Sequence, residues 1–271
     1  MIRPPAVAGR FYPSDPQALA REVDQLSTGE LRSVGTKIEA RACVVPHAGY
    51  MYSGRVAGAV YGSLKIPRNC ILIGPRHFPR GEPMAIVTEG AFQTPLGDLA
   101  IDAKLAKEIA HAYPRLREDA VAHQSEHSLE VQIPFLQRLA KDVQFIPIVL
   151  VADRYGVLEE LGHALAKVIT ASKEPVLLIA SSDLNHYESE AETREKDDMA
   201  IAKVLAVDPR GLYDTVRAND ISMCGYAATV ATLVAARDLG ATEGNLIGHD
   251  TSASVTGDYQ QVVGYAGIII P

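Results

Sequence analysis

The chain is short of what several protein classes require. Its cysteines number only three, at positions 43, 70 and 224, an odd count without CxxC spacing, so neither a disulfide framework nor a zinc ribbon fits. No basic cluster extends beyond a few residues, and 26 Lys plus Arg stand against 33 Asp plus Glu for a formal net charge of −7. Nucleic acid is therefore not an expected partner. The most continuous apolar segment, residues 145–152, falls far below the ~20 residues that cross a bilayer. The opening MIRPPAVAGRFYP has no hydrophobic signal core, so no membrane partner and a cytoplasmic location are expected. Repeats, low-complexity segments and linkers are missing too, which makes one domain the simplest reading of 271 residues.

What is present is an ordinary globular composition, 47% hydrophobic and 22% charged, with one recurring design. The apolar run ACVV (42–45) is too short for a helix, stops at Pro46 and delivers His47. The segments NCILIGPRH (69–77) and PVLLIASSDLNH (175–186) repeat the pattern and end on His77 and His186. In open α/β sheets, ligands bind at the carboxyl ends of strands. Each of these histidines is flanked by loop-forming Gly, Pro, Ser or Asn. Cys224 joins them as a candidate, because it precedes a helix whose amide groups favour a thiolate. Two imidazoles and a thiolate can hold a transition metal with positions left open. Asp183, three residues before His186, would orient a histidine, and His186 could act as acid or base.

The remaining elements follow from periodicity and turn chemistry. Residues 1–13 read as an extended arm packing by Phe11 and Tyr12. Asp15 and Pro16 open a helix running to Gly29, with a polar loop over 29–37. Further helices are expected over 54–64, 102–113, 128–140, 154–170, 193–207 and 224–239, with Pro134 kinking the fourth of these seven. Strands are expected over 70–73, 145–151, 176–180, 245–254 and 261–270, with a turn at Gly257 and Asp258. Antiparallel strands are expected between 84 and 101. The fold class is α/β, with a central mostly parallel or mixed sheet flanked by helices. Cys43 and Cys70 read as buried hydrophobes, and His111, His163 and His249 as ordinary surface or core residues.

Six blocks in order, PAVAGRFYP (5–13), PHAGYMYSG (46–54), GPRH (74–77), EHSLEVQIPFL (126–136), SSDLNHY (181–187) and CGY (224–226), resemble the Memo family. That family is similar in fold to the class III extradiol dioxygenases, which open catechol rings with non-haem iron. The resemblance implies His47, His77 and Cys224 as metal ligands, with His186 as the pocket acid or base and Asp183 beside it. Iron(II) is the favoured ion. A thiolate where the dioxygenases have a carboxylate is softer and admits copper or zinc. Phe11, Tyr12, Tyr50, Tyr52, Glu126 and His127 are expected around the pocket, where aromatic rings would stack on a planar small molecule or a peptide. The resemblance also implies a functional link to a radical SAM protein.

Three rivals remain. His123, Glu126 and His127 spell H-x-x-E-H, the inverted zinc-peptidase pattern, although Ser125 as an N-cap would separate the histidines. Cys224 activated by His186 would make a metal-free cysteine hydrolase. A vestigial pocket would make a non-catalytic binder of a peptide or partner.

Overall fold

The computed structural model describes residues 1–29, 36–151 and 154–271. The chain runs through β1 (Ile2–Arg3), α1 (Pro16–Ser27), β2 (Ala42–Val45), α2 (Tyr50–Ser63), β3 (Asn69–Pro75), β4 (Met84–Ile86), β5 (Ala91–Thr94), β6 (Gly97–Ala100), α3 (Ala103–Ala112) and β7 (Arg117–Glu118). Two 3-10 turns, Val121–His123 and Glu130–Gln132, lead into α4 (Ile133–Leu139). There follow β8 (Gln144–Leu150), α5 (Tyr155–Ala171), β9 (Val176–Ser181), β10 (His186–Glu188), α6 (Glu190–Leu205), α7 (Pro209–Ala218), α8 (Tyr226–Asp238), β11 (Asn245–Thr251), α9 (Ala253–Thr256) and β12 (Val262–Ile270).

Four strands, in the order β2-β9-β3-β8, pair in parallel at the centre of a nine-stranded mixed sheet. β12 and β4 flank them antiparallel. All of β2, β3 and β9 is buried, as expected where helices cover both faces of a parallel sheet. One helix group, α1, α2 and α4, packs together, and α5 and α7 pack on α8. Gly162 of α5 allows a close approach to α8: a Cβ there would lie 2.5 Å from the Cβ of Val234. A separate three-stranded sheet, β1-β5-β6, ties the amino-terminal segment to the body. Strand register fixes where function can sit. Val45 pairs with Ser181, and β3 runs alongside to Pro75, so residues 46–47, 76–77 and 182–183 leave the sheet at one rim.

The amino-terminal segment is anchored by a buried charge pair and is not merely extended. Arg3 is ion-paired with Glu130, which is fully buried. Arg3 Nε donates to the His123 carbonyl at 2.8 Å and Nη2 to the Glu126 carbonyl at 2.5 Å. Glu130 also accepts the amides of Ala6 at 2.8 Å and Val7 at 3.0 Å and the Tyr12 hydroxyl at 2.6 Å.

Several expectations are corrected. Residues 128–140 do not form one helix: 130–132 is a tight turn and the helix begins at Ile133, so Pro134 occupies the first helical turn, where a missing N–H costs nothing and no kink arises. α2 begins at Tyr50, four residues before the expected start. α6 begins at Glu190 behind a capping box from Ser189 and Glu192. α7 has no counterpart in the sequence reading, although Asp208 and Pro209 open it just as Asp15 and Pro16 open α1. The first closing strand stops at Thr251, and α9 with a left-handed Gly257 takes the place of a simple turn. Most of the loop read over 29–37 lies outside the described residues.

Two tests follow. Arg3→Ala leaves the Glu130 carboxylate buried without its cation, and urea denaturation should register a loss of about 3–5 kcal/mol. His123 is buried edge-on to Phe92, with ring centroids 5.9 Å apart. Burial first, then the Arg3 charge, holds its pKa down at about 4. The unfolded chain takes up that proton near pH ~6.5 while the native state refuses it to about 4. Its share of stability is therefore full above ~6.5 and declines as pH falls toward 4, by on the order of 3 kcal/mol. The stability difference between wild type and His123→Phe, measured from pH 7 to 4, should narrow or reverse in that window.

Candidate functional site

His47 leaves β2 after Pro46 and is 1% exposed. Its amide donates to Asp183 Oδ1 at 2.7 Å, and its Nδ1 lies 2.9 Å from Ser181 Oγ. The serine has one proton, which it donates to the Ser128 carbonyl at 2.7 Å, and it also accepts Gln132 Nε2 at 3.0 Å. His47 Nδ1 must therefore be the donor in its own contact, which leaves the Nε2 lone pair pointing at Cys224 Sγ, 3.3 Å away. Burial, and after it the charges His77 and His186 would carry, depress the His47 pKa to about 3 and keep the ring neutral.

His77 is oriented the same way by a carboxylate. Its Nδ1 lies 2.8 Å from Glu126 Oε1 and its amide donates to Glu126 Oε2 at 2.5 Å. Burial works against the Glu126 charge. Hydrogen bonding and charge from His77, the His127 charge and the Ser128 amide outweigh it and hold the carboxyl down at about 2. An ionised Glu126 only accepts, so His77 Nδ1 donates and Nε2 is left for the rim. His127 stacks on His77 with centroids 4.5 Å apart, and Phe11 tilts on His127 at 4.9 Å.

Cys224 sits just before α8 and accepts the Asp183 amide at 3.3 Å. The expected low thiol pKa is not found: burial, then the Asp183 charge, pushes it well above its ordinary value, with the Asp183 amide and the Ser182 hydroxyl pulling the other way. The thiol is neutral unless a cation is present, and coordination removes a thiol proton outright. Asp183 is itself raised by burial, with the His47 amide pulling the other way.

Donor atoms of His47, His77 and Cys224 all lie within 4.8 Å of one another. Both imidazoles have their other nitrogen engaged, by a hydroxyl or a carboxylate, as metal-binding histidines ordinarily do. Two neutral imidazoles and one ionisable sulfur suit a borderline or soft transition metal. His77, Glu126 and His127 form a second such cluster, but Glu126 already accepts His77 Nδ1 and two amides. That carboxylate reads as the group that aims His77.

Above this point opens a cavity of ≈ 660 Å³ whose floor includes His127, Asp183 and His186. Phe11, Met51, Tyr52, Tyr187, Val263 and Tyr265 line it, with Arg10 also at its wall. Three expected pocket residues are placed elsewhere. Tyr12 is buried beneath the arm, its hydroxyl on Glu130 Oε1 at 2.6 Å. Tyr50 is buried in the core, its hydroxyl on the Val131 carbonyl at 2.8 Å and its ring 5.0 Å from Phe135. Glu126 is buried beneath the floor and acts through His77. Tyr187 and Arg10 went unassigned although they adjoin His186 and Phe11. Val263 and Tyr265 carried no local signal, because β12 reaches the rim only through its antiparallel pairing.

The rivals fare differently. His123 packs on Phe92 beside Arg3 while His127 faces the cavity, so the H-x-x-E-H residues share no helical face. The imidazole beside the Cys224 thiol is His47, not His186, and the thiol is not activated.

The model of the Memo family, described as Memo-like protein, matches residues 3–269. A MEMO1 family protein of Pyrobaculum arsenaticum is 41% identical over 276 residues, covering 99% of this chain and 98% of the relative. One of Aquifex aeolicus is 40% identical over 269 residues with the same coverage. The crystal structure of an uncharacterised protein of Escherichia coli K12 superposes with a TM-score of 0.55 over 84% of this chain and 98% of that one. At 12% identity that likeness concerns the fold. With nearly its whole length matched by the family model and by relatives at about two-fifths identity, the chain belongs to the Memo family.

Proposed function

We propose that the chain binds one transition metal ion through His47, His77 and Cys224 and that the site serves redox chemistry on a ligand held in the cavity. The observation that carries this reading is the convergence of three donors from opposite ends of the sequence, within 4.8 Å of one another, with both imidazoles already aimed by partners. Iron(II) is favoured, with copper or zinc admitted by the soft sulfur. When bound, the ion supplies a redox-active or Lewis-acidic centre with open positions.

The chain's own groups provide the rest. His186 Nδ1 has no hydrogen-bond partner among the described residues, so it is available to hold or move a proton. Asp183 faces the same cavity and orients His47 through its amide. Phe11, Tyr52, Tyr187 and Tyr265 offer faces for a planar small molecule or an aromatic side chain of a peptide, and Arg10 offers a cation at the wall. Partnership with a radical SAM protein accompanies this reading as a family implication, and a cytoplasmic site of action as the expectation from the sequence. Among the described residues, no helix is long and apolar enough to cross a membrane.

A second reading is favoured by Met51 and Tyr187, which are 64% and 73% exposed at the cavity. Such side chains also suit a surface that only docks a peptide or partner.

Metal analysis of protein purified anaerobically tests the first reading. Wild type should carry about one ion per chain, and His47→Ala, His77→Ala and Cys224→Ala should each lose most of it. Equal metal in all four proteins would sink the assignment. His186→Ala and Asp183→Ala separate catalysis from docking. Metal content should persist while turnover of an oxidisable ligand drops by about 10²-fold or more. Ligand binding that survives both changes in a protein without turnover selects the docking reading.

A further inference from the structure

The loop carrying Cys224 is stitched to the loop carrying Asp183 and His186. Gly225 N donates to Ser182 Oγ at 3.0 Å, and Asp183 N to Cys224 Sγ at 3.3 Å. His186 N donates to Ser222 Oγ at 2.7 Å. Asn185 Oδ1 accepts both the Ser222 amide at 3.1 Å and the Ser222 hydroxyl at 3.0 Å. The seat is tight as well as bonded, since a Cβ on Gly225 would lie 2.4 Å from the Ser181 carbonyl.

Asn185 is fully buried, and all of its polar groups are used. Its amide N donates to Asp197 Oδ1 at 3.0 Å and its carbonyl accepts Gly264 N at 2.9 Å. The side-chain Nδ2 donates to Glu188 Oε2 at 2.7 Å and Thr193 Oγ1 at 3.3 Å. Asp197 is held in turn by His249 Nε2 at 2.8 Å. A carboxamide accepts on one side and donates on the other; aspartate would lose the donors and face Glu188 with like charge. A buried, fully satisfied hub of this kind fixes one arrangement of the groups it joins.

We infer that Asn185, acting through Ser222, is a positioning residue that sets Cys224 and His186 relative to each other and so sets the direction of the sulfur donor. The inference rests on the metal reading above. It assigns no contact between Asn185 and the ion. Groups that orient metal ligands from behind typically contribute 10–100-fold to affinity.

Cobalt(II) tests this, because its thiolate charge-transfer absorption reports the sulfur bond directly. Metal-free wild type, Ser222→Ala, Ser222→Thr and Asn185→Ala are titrated anaerobically, and thermal unfolding without metal reports whether each is folded. Ser222 is exposed, so its variants keep the experiment decisive should Asn185→Ala fail to fold. Ser222→Ala, and Asn185→Ala where it folds, should bind cobalt about 10–100-fold more weakly with an altered charge-transfer band. Ser222→Thr, which keeps the hydroxyl, should restore both. Wild-type affinity and band in Ser222→Ala overturn the inference, as does weakening with an unchanged band that threonine does not rescue. A wild type that takes up no cobalt removes the metal reading itself, and this inference with it.

Discussion

One hydroxyl proton organises the rim. Ser181 ends β9, and its oxygen is shared by the Ser128 carbonyl, the Gln132 amide and the His47 ring. Because the proton goes to a carbonyl that can only accept, the direction of every other bond at that oxygen is decided. His47 is thereby locked in one tautomer, and the turn bearing Glu126 and His127 is tied to the strand end that leads to Asp183. Gln132 extends the same link to the Pro46 carbonyl at 2.9 Å. Remove that single donor and three segments lose their common reference point.

The two imidazoles reach the same outcome by different means. His47 is aimed by neutral partners in a dry setting and its pKa falls to about 3, whereas His77 is aimed by a charged carboxylate. A cation placed between them would feel the Glu126 charge through the His77 ring, while His47 would supply an uncharged lone pair. The buried pair Arg3–Glu130 supports this asymmetry from below, because Arg3 also holds the Glu126 carbonyl. The amino-terminal segment and the rim are mechanically one unit, with Phe11 packed on His127 at its upper end.

Much of this was legible in the residues. Short β-branched runs ending in Pro or Ser at 42–45 and 176–181 could only be covered strands, and the histidines beyond them had to share an edge once the strands were parallel. What could not be read was tertiary. Tyr50 and Tyr52 look alike in sequence, but they fall on a helix that turns one into the core and the other to the cavity. The thiol at Cys224 looks activated by its helix in sequence, but in the fold burial and the Asp183 charge push its pKa up. Pro134 looked like a kink until the preceding turn took over residues 130–132. Asp208 and Pro209 do announce α7, and Leu212 and Val216, four apart, supply its buried face.

The pairing of Val44 with Ile268 has a consequence for how the protein comes together. It joins strands about 220 residues apart in the chain, and contacts of that separation form slowly because so much chain must be ordered first. β3, β8 and β9 are nearer neighbours in sequence and suit an earlier nucleus. The edge holding His47 and Tyr265 is then completed late on the folding route, and an ion bound there would slow unfolding more than it hastens folding.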